Sequence, residues 1–271
     1  MENTIIKKLK RWFKIILLVY IVAGLALYFL QDKILFHPQK LPADHSFSFP
    51  TPFKEINLPV NEEKNLNIIQ FTVPDSLCKG VVLYFHGNRN NIERYAAYAE
   101  HFNRNQYEVW MMDYPGFGKS TGTLTEEIIY KDAARVYQMA RSRFAKDSII
   151  LYGKSLGSGV ASQLASIKDC KKLILETPYY SVVNLFGHYA FIFPPRLISK
   201  YHFPTYRYLE KVDVPITILH GTSDGIIPFS QSVKLKNKFP GIQLVGIKDG
   251  SHNDLSEFPA FQNSLDSILT N

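Results

Sequence analysis

A serine, an aspartate and a histidine occur in the order and local contexts that nucleophilic acyl transfer requires. Gly153-Lys154-Ser155-Leu156-Gly157 has the pattern G-x-S-x-G, directly after the apolar run Ser148–Tyr152 and before the small-residue run Leu156–Ser166. In a tight strand-to-helix turn, small neighbours let the backbone close and leave the serine hydroxyl exposed. The N–H of the next residue, Leu156, then faces a developing oxyanion from a helix N-terminus. The motif alone is a weak signal, and its placement between strand and helix strengthens it. His86-Gly87-Asn88 follows the run Gly80–Phe85 and places a second oxyanion N–H at Asn88. His220-Gly221-Thr222-Ser223-Asp224 follows Ile216–Leu219, and Asp249-Gly250-Ser251-His252 follows Gln243–Ile247. In this reading His252 takes the proton of Ser155 and returns it to the leaving group, while Asp224 fixes the imidazole tautomer.

Other candidates read more plainly. His86 and His220 each precede a glycine at a strand end and serve as turn supports. Asp249 and Asp254 stand too near His252 in the chain to reach the far ring nitrogen. His37, His45 and His101 carry no pattern. Gly118-Lys119-Ser120 and Gly153-Lys154-Ser155 mimic the end of a phosphate-binding loop, but Asp113 and Ser148 stand where its first glycine belongs. Gly116-Phe117-Gly118 fails as a dinucleotide fingerprint because Thr121 takes the third glycine's place. No histidine or cysteine spacing suits zinc, and Cys78 and Cys170 are too few for a disulfide scaffold. The chemistry calls for neither metal nor cofactor.

The elements that must position these residues alternate along the chain. Lys54–Val60 and Leu66–Val73, joined by a polar turn, predict an antiparallel hairpin. Gly80–Phe85, Tyr107–Met112, Ser148–Tyr152, Leu173–Leu175, Ile216–Leu219 and Gln243–Ile247 read as strands. Ile92–Phe102 has helical spacing, and Thr123 with Glu126 forms a capping-box pattern for a helix running to about Phe144. The alternation predicts an α/β fold with a mostly parallel sheet and helices on both faces. In such sheets ligands sit beyond the carboxyl ends of the strands, where Asn88, Ser155, Asp224 and His252 all fall.

The formal charge of +7 on 271 residues is unevenly spread. Residues 1–14 hold Lys7, Lys8, Lys10, Arg11 and Lys14 against Glu2, so +4 belongs to this tail and the rest of the chain shares +3. That leaves no footprint for nucleic acid. Residues 15–30 carry no charge, and with Trp12, Phe13 and a snorkelling Lys14 the apolar run reaches nineteen residues. As a helix it measures roughly 28 Å, close to the bilayer's hydrocarbon thickness of about 30 Å. A cleaved signal peptide is the rival reading, but Leu27–Leu30 continue the apolar run past the small residues Gly24 and Ala26. The domain layout expected is therefore a cytoplasmic tail (1–14), a transmembrane anchor (15–30) and a globular domain (31–271). The basic flank places the N-terminus in the cytoplasm and the globular domain on the opposite, periplasmic or extracytoplasmic, side.

HGN at 86–88, DYPGFGKS at 113–120, YGKSLGSG at 152–159, HGTSDGIIP at 220–228 and GSHNDL at 250–255 together resemble the α/β-hydrolase superfamily. More narrowly, they resemble its membrane-anchored, small-lid branch, which contains eukaryotic protein depalmitoylases and bacterial serine-aminopeptidase-like proteins. Gln31–Pro38, after the apolar run, also looks like that branch. The resemblance implies the catalytic triad Ser155, Asp224 and His252, an oxyanion hole at the Asn88 and Leu156 N–H groups, and no metal. It specifies the superfamily strongly and the substrate poorly, since relatives include esterases, thioesterases, lipases and peptidases.

Pro178–Asp213 is the expected lid insertion, with ten aromatics in thirty-six residues. It also holds His188 and His202, read as lid residues, and the cations Arg196, Lys200 and Arg207. Two readings stand: a cap whose aromatics bury one another, or a tyrosine-rimmed pocket or membrane-facing surface that accepts acyl chains. The expected function is a membrane serine hydrolase acting on an ester or thioester, with a small-molecule or lipid-like acyl substrate and the bilayer as its partners. The alternatives are an amide-cleaving, aminopeptidase-like enzyme and a catalytically idle, membrane-tethered binding module.

Overall fold

A computed structural model describes residues 2–270. Helix α1 (Glu2–Phe29) runs unbroken through both the basic tail and the apolar run. It is long and apolar enough to cross a membrane, and the body of the protein covers little of it. Helix α2 (Gln31–Leu35) follows at once, then the two-residue strand β1 (His37–Pro38).

The central sheet has eight strands. Hairpin β2 (Phe53–Asn61) and β3 (Lys64–Phe71) forms its antiparallel edge, and both strands run further into the turn than the sequence pattern suggests. Strand β4 (Gly80–Phe85) is completely buried. Strand β5 (Arg89–Asn90) leaves the main sheet and pairs in parallel with β1. The segment expected as one helix over Ile92–Phe102 is α3 (Ile92–Tyr95) and α4 (Ala99–Asn103) joined by a 3₁₀ turn, which keeps Ile92, Tyr95, Ala99 and Phe102 on the core. Strand β6 (Tyr107–Met112), helix α5 (Glu126–Arg141), strand β7 (Ile149–Lys154), helix α6 (Leu156–Ala165) and strand β8 (Lys172–Glu176) come next. The segment between β8 and β9, which holds the expected lid and is called the lid below, carries three short helices, α7 (Val182–Tyr189), α8 (Pro195–Ile198) and α9 (Thr205–Leu209). Strand β9 (Ile216–Gly221), helix α10 (Ser230–Lys238), strand β10 (Gln243–Ile247) and helix α11 (Pro259–Thr270) close the chain.

The strand order is β10-β9-β8-β7-β4-β6-β3-β2, parallel except where β3 meets β6 and β2. Because side chains alternate across a strand, β4 sends Val81, Leu83 and Phe85 to one layer and Val82 and Tyr84 to the other. The first layer is closed by α5 and α6, the second by α3, α4 and α11. Helix α5 presents Ile129, Ala133, Val136, Tyr137 and Ala140 to the sheet, the spacing of one helical stripe.

The cap of α5 departs from the sequence pattern. Thr125, not Thr123, sits at the N-cap in extended backbone, and its side chain accepts the Ile128 N–H at 3.2 Å. Glu126 is thereby drawn outward. It accepts the Tyr130 hydroxyl and the backbone N–H groups of His202 and Phe203, so it tethers the lid rather than completing a capping box.

Candidate active site

Four parallel strands end at one place, and each contributes from the loop that follows it. After β7, Ser155 adopts φ 53°, ψ −116°, a conformation uncommon for a residue with a side chain. Its N–H bonds the Glu176 carbonyl at 2.9 Å, and its carbonyl accepts from the Ser158 N–H and hydroxyl. The flanking glycines make this turn possible. A Cβ on Gly157 would lie 1.9 Å from the Phe85 carbonyl oxygen, and one on Gly153 would lie 2.3 Å from that of Gly157. Thus G-x-S-x-G here records two backbone approaches that no side chain permits.

The loops after β9 and β10 bring Asp224 and His252 to the serine. His252 Nε2 lies 3.0 Å from Ser155 Oγ, and His252 Nδ1 lies 2.7 Å from Asp224 Oδ2. The other oxygen of Asp224 accepts the N–H groups of Ile226 and Ile227, both at 2.8 Å. His220 Nε2 also stands 3.2 Å from Asp224 Oδ2. Burial alone would push the Asp224 carboxyl up, but bonding to His220, His252 and Ile227 outweighs it and holds the group well below the usual carboxylate range. The result is a fixed, charged acceptor for one imidazole nitrogen, with the other nitrogen on the hydroxyl.

The remaining histidines and aspartates are placed otherwise. His220 is buried between the Ser232 hydroxyl and the Ile227 carbonyl, bracing the loop that carries Asp224. His86 contacts the Gly87 carbonyl at 2.7 Å and is stacked on Tyr95. Asp254 accepts from the N–H and hydroxyl of Ser251, which shapes the His252 loop without reaching the ring. Lys154 is buried with Glu176 as its ion-pair partner, and Tyr152 donates to the same carboxylate. Burial would lower the Lys154 pKa, but the Glu176 charge raises it above the usual lysine value, so Lys154 stays protonated and is no candidate base.

Leu156 is the first residue of α6, so its N–H has no helical acceptor. Asn88 is held from behind. Its carbonyl accepts the His37 N–H, and its side-chain amide donates to the Leu35 carbonyl. Among the described residues the Asn88 N–H itself donates to no other group.

A cavity of about 210 Å³ opens at Ser155, and its wall was only partly legible in the sequence. Ser155, His252 and Asn88 line it as expected, but so do Ile34, His37, Arg89 and Arg94. Ile34 and His37 arrive through the pairing of β1 with β5, a contact between two-residue strands that leaves no periodic signal. No lid aromatic lines this cavity, which goes against the tyrosine-rimmed pocket, one of the alternatives read for Pro178–Asp213. Tyr179, Phe193, Tyr201 and Phe203 are buried, and Tyr180 stacks on Tyr206. The buried rings are spent on neighbouring elements: Tyr179 on α6, Phe203 on Tyr130 of α5, Tyr201 on Phe36 and Phe193 on Tyr20 of α1. A larger concavity, about 900 Å³, lies between the lid and α10 and contains none of Ser155, Asp224 and His252.

Comparison with known proteins finds similarity to hydrolases. Residues 77–202 match the family described as "Serine aminopeptidase, S33". The chain is 29% identical over 195 residues to the alpha/beta hydrolase domain-containing protein aho-3 of Caenorhabditis elegans, covering 69% of this chain and 57% of that protein. It is 27% identical over 193 residues to the mouse alpha/beta hydrolase domain-containing protein 17C, covering 70% of this chain and 59% of that protein. The match therefore spans less than two thirds of the length of these relatives. Among solved structures, an esterase of Pyrococcus furiosus superposes with a TM-score of 0.68 at 18% identity, covering 87% of this chain and 97% of that one.

Proposed function

We propose that this α/β-hydrolase is a membrane-anchored serine hydrolase that cleaves carboxylic ester or thioester bonds through an acyl-serine intermediate. The observation that carries the reading is the continuous relay from Ser155 Oγ through His252 to Asp224, at 3.0 and 2.7 Å. As Ser155 Oγ attacks the carbonyl carbon, His252 Nε2 takes its proton and Asp224 stabilises the imidazolium. The carbonyl oxygen becomes an oxyanion that receives the Asn88 and Leu156 N–H groups, each such donor being worth about 10²–10³ in rate. Collapse of the tetrahedral adduct expels an alcohol or thiol, protonated by His252, and leaves the acyl group on Ser155. Water then repeats the cycle: His252 deprotonates it, and the acid departs as Oγ regains its proton.

The cavity wall supports an ester or thioester over a free peptide N-terminus. Arg89, Arg94 and Lys154 line it, and no aspartate or glutamate does, so nothing there would hold an ammonium group. Arg89 and Arg94 are both exposed at its rim and favour a leaving group bearing carboxylate or phosphate. The match to an aminopeptidase family keeps amide cleavage as the second reading. The exposed, apolar α1 supports the anchor, and its basic N-terminal flank supports a cytoplasmic N-terminus with the catalytic domain across the membrane.

Fluorophosphonate labelling of the full chain tests the nucleophile. The wild type is expected to label stoichiometrically, Ser155→Ala not at all, and His252→Ala far more slowly. A folded wild type that resists the probe would favour an idle binding module instead.

A further inference from the structure

The lid is not free of α1. The Phe193 ring stacks on Tyr20 with centroids 4.7 Å apart, and the Tyr20 hydroxyl donates to the Ile192 carbonyl at 3.1 Å. A Cβ on Gly24 would stand 3.3 Å from the Phe193 ring, so the small residue in the apolar run marks where the lid leans on the helix. Tyr20 and Gly24 precede the helix end at Phe29 by nine and five residues, which is about 13 and 7 Å along the axis. With α1 spanning a bilayer, these contacts lie inside the hydrocarbon of the leaflet next to the catalytic domain, whose half-thickness is about 15 Å.

The large apolar side chains around this contact match such a setting, and the one exposed cation among them, Arg196, has a stem long enough to snorkel to the headgroups. Phe191 is 80% exposed and Leu197 79%, among the most exposed large apolar residues of the protein. Ile192 and Tyr189 are exposed beside them. Tyr189 leads to the active site, because its hydroxyl donates to the carbonyls of Gly225 and Ile226, and Ile226 lines the Ser155 cavity. Ile34, in α2 and five residues past the end of α1, also lines the cavity and is exposed. Polar groups appear where the chain would leave the hydrocarbon: Lys200 pairs with Asp32 at 2.6 Å, and the Tyr201 hydroxyl donates to the same carboxylate.

From this arrangement, and resting on the membrane-anchored reading above, we infer that the lid tip Tyr189–Leu197 is immersed in the same leaflet as α1 and forms, with Ile34 and Ile226, a lipid-facing doorway to Ser155. The partner is the acyl-chain region of the bilayer. A cavity of about 210 Å³ is smaller than the roughly 300–1,000 Å³ that ordinarily encloses a ligand. The substrate's carbonyl therefore enters from the membrane while the remainder of its chain stays in lipid.

The test places an environment-sensitive fluorophore on single cysteines of the full chain, in phosphatidylcholine–phosphatidylglycerol vesicles containing nitroxide-labelled lipid. Cys78 is replaced by serine, whereas Cys170 is buried, its thiol pushed up to about 12, and does not compete for the label. Sites are Val22→Cys in α1, Phe191→Cys in the lid tip, and Leu77→Cys at the opposite end of the sheet. Quenching by the lipid nitroxide at Val22 and Phe191, with none at Leu77, is the expected result. Quenching at Val22 but not at Phe191 would overturn the inference and leave the anchor intact. No quenching at Val22 would remove the anchor and the inference together. Catalysis does not enter this readout, so its outcome is separate from the fluorophosphonate result.

Discussion

At the residue scale, the arrangement turns on how completely Asp224 is held. One oxygen accepts two backbone N–H groups and the other accepts His252, so the imidazole has one tautomer and one orientation open to it. Asp224→Asn keeps the shape but offers an amide where the ring needs a charged acceptor, and kcat should fall about 10⁴-fold with the fold retained. The same residue predicts a pH signature. Its folded pKa lies below the unfolded value, so its contribution to stability is fully present above about pH 4 and is lost as pH falls through the folded value. The stability gap between wild type and Asp224→Asn should therefore narrow from pH 6 to pH 2, as followed by thermal unfolding. Burial raises the pKa of Asp113, which contributes with the opposite sign, and comparison with the variant removes that background. Ser155, Asp224 and His252 were legible because each lies in the loop that follows a readable strand. Arg89 and Arg94 were not, since an arginine at a cavity rim looks in sequence like any solvated one.

At the scale of elements, the strand–turn–helix unit around Ser155 is set by close backbone approach. Gly157→Ala would drive a Cβ into the Phe85 carbonyl, and α6 would have to lift from β4 to admit it. We expect a loss of about 4 kcal/mol or more, or failure to fold. Gly225→Ala, where a Cβ meets nothing within 4 Å, should change stability by no more than about 0.5 kcal/mol. Equal chemical-denaturation midpoints for the two variants would contradict this account. The buried strands were readable from sequence because a strand covered on both faces is a nearly continuous apolar run, as Gly80–Phe85 is throughout and Tyr107–Met112 is apart from Glu108. Caps were less readable. Thr123 and Thr125 are both good capping residues, and the choice of Thr125 places Glu126 where it can receive the lid's N–H groups, a tertiary demand that local pattern does not contain.

At the scale of the whole molecule, Gln31 joins the end of α1 to the lid. It is almost fully buried, donates to the Ile198 carbonyl and accepts the Lys200 N–H at 2.8 Å. Gln31→Ala would leave both backbone groups unpaired, each at a cost of about 1–3 kcal/mol. It should lower the Tm of the full chain and speed proteolysis between Tyr189 and Lys200, whereas an unchanged Tm and cleavage rate would show that the lid needs no such tie. The aromatic content of Pro178–Asp213 marked a lid but not its direction. Whether a ring fills its own insertion, lines a cavity or faces outward depends on contacts with α1 and α5 that are distant in sequence. The outcome is divided: Tyr179, Tyr201 and Phe203 are buried, while Phe191 and Tyr189 are exposed.

The central claim is covalent catalysis at Ser155, and rapid acid quench of the full chain with a short-chain thioester, followed by peptide mass analysis, tests it most directly. The account predicts an acyl adduct on the Ser155 peptide that forms within the first turnover and disappears as substrate is exhausted. Undiminished turnover in Ser155→Ala, or an adduct at another residue, would contradict it.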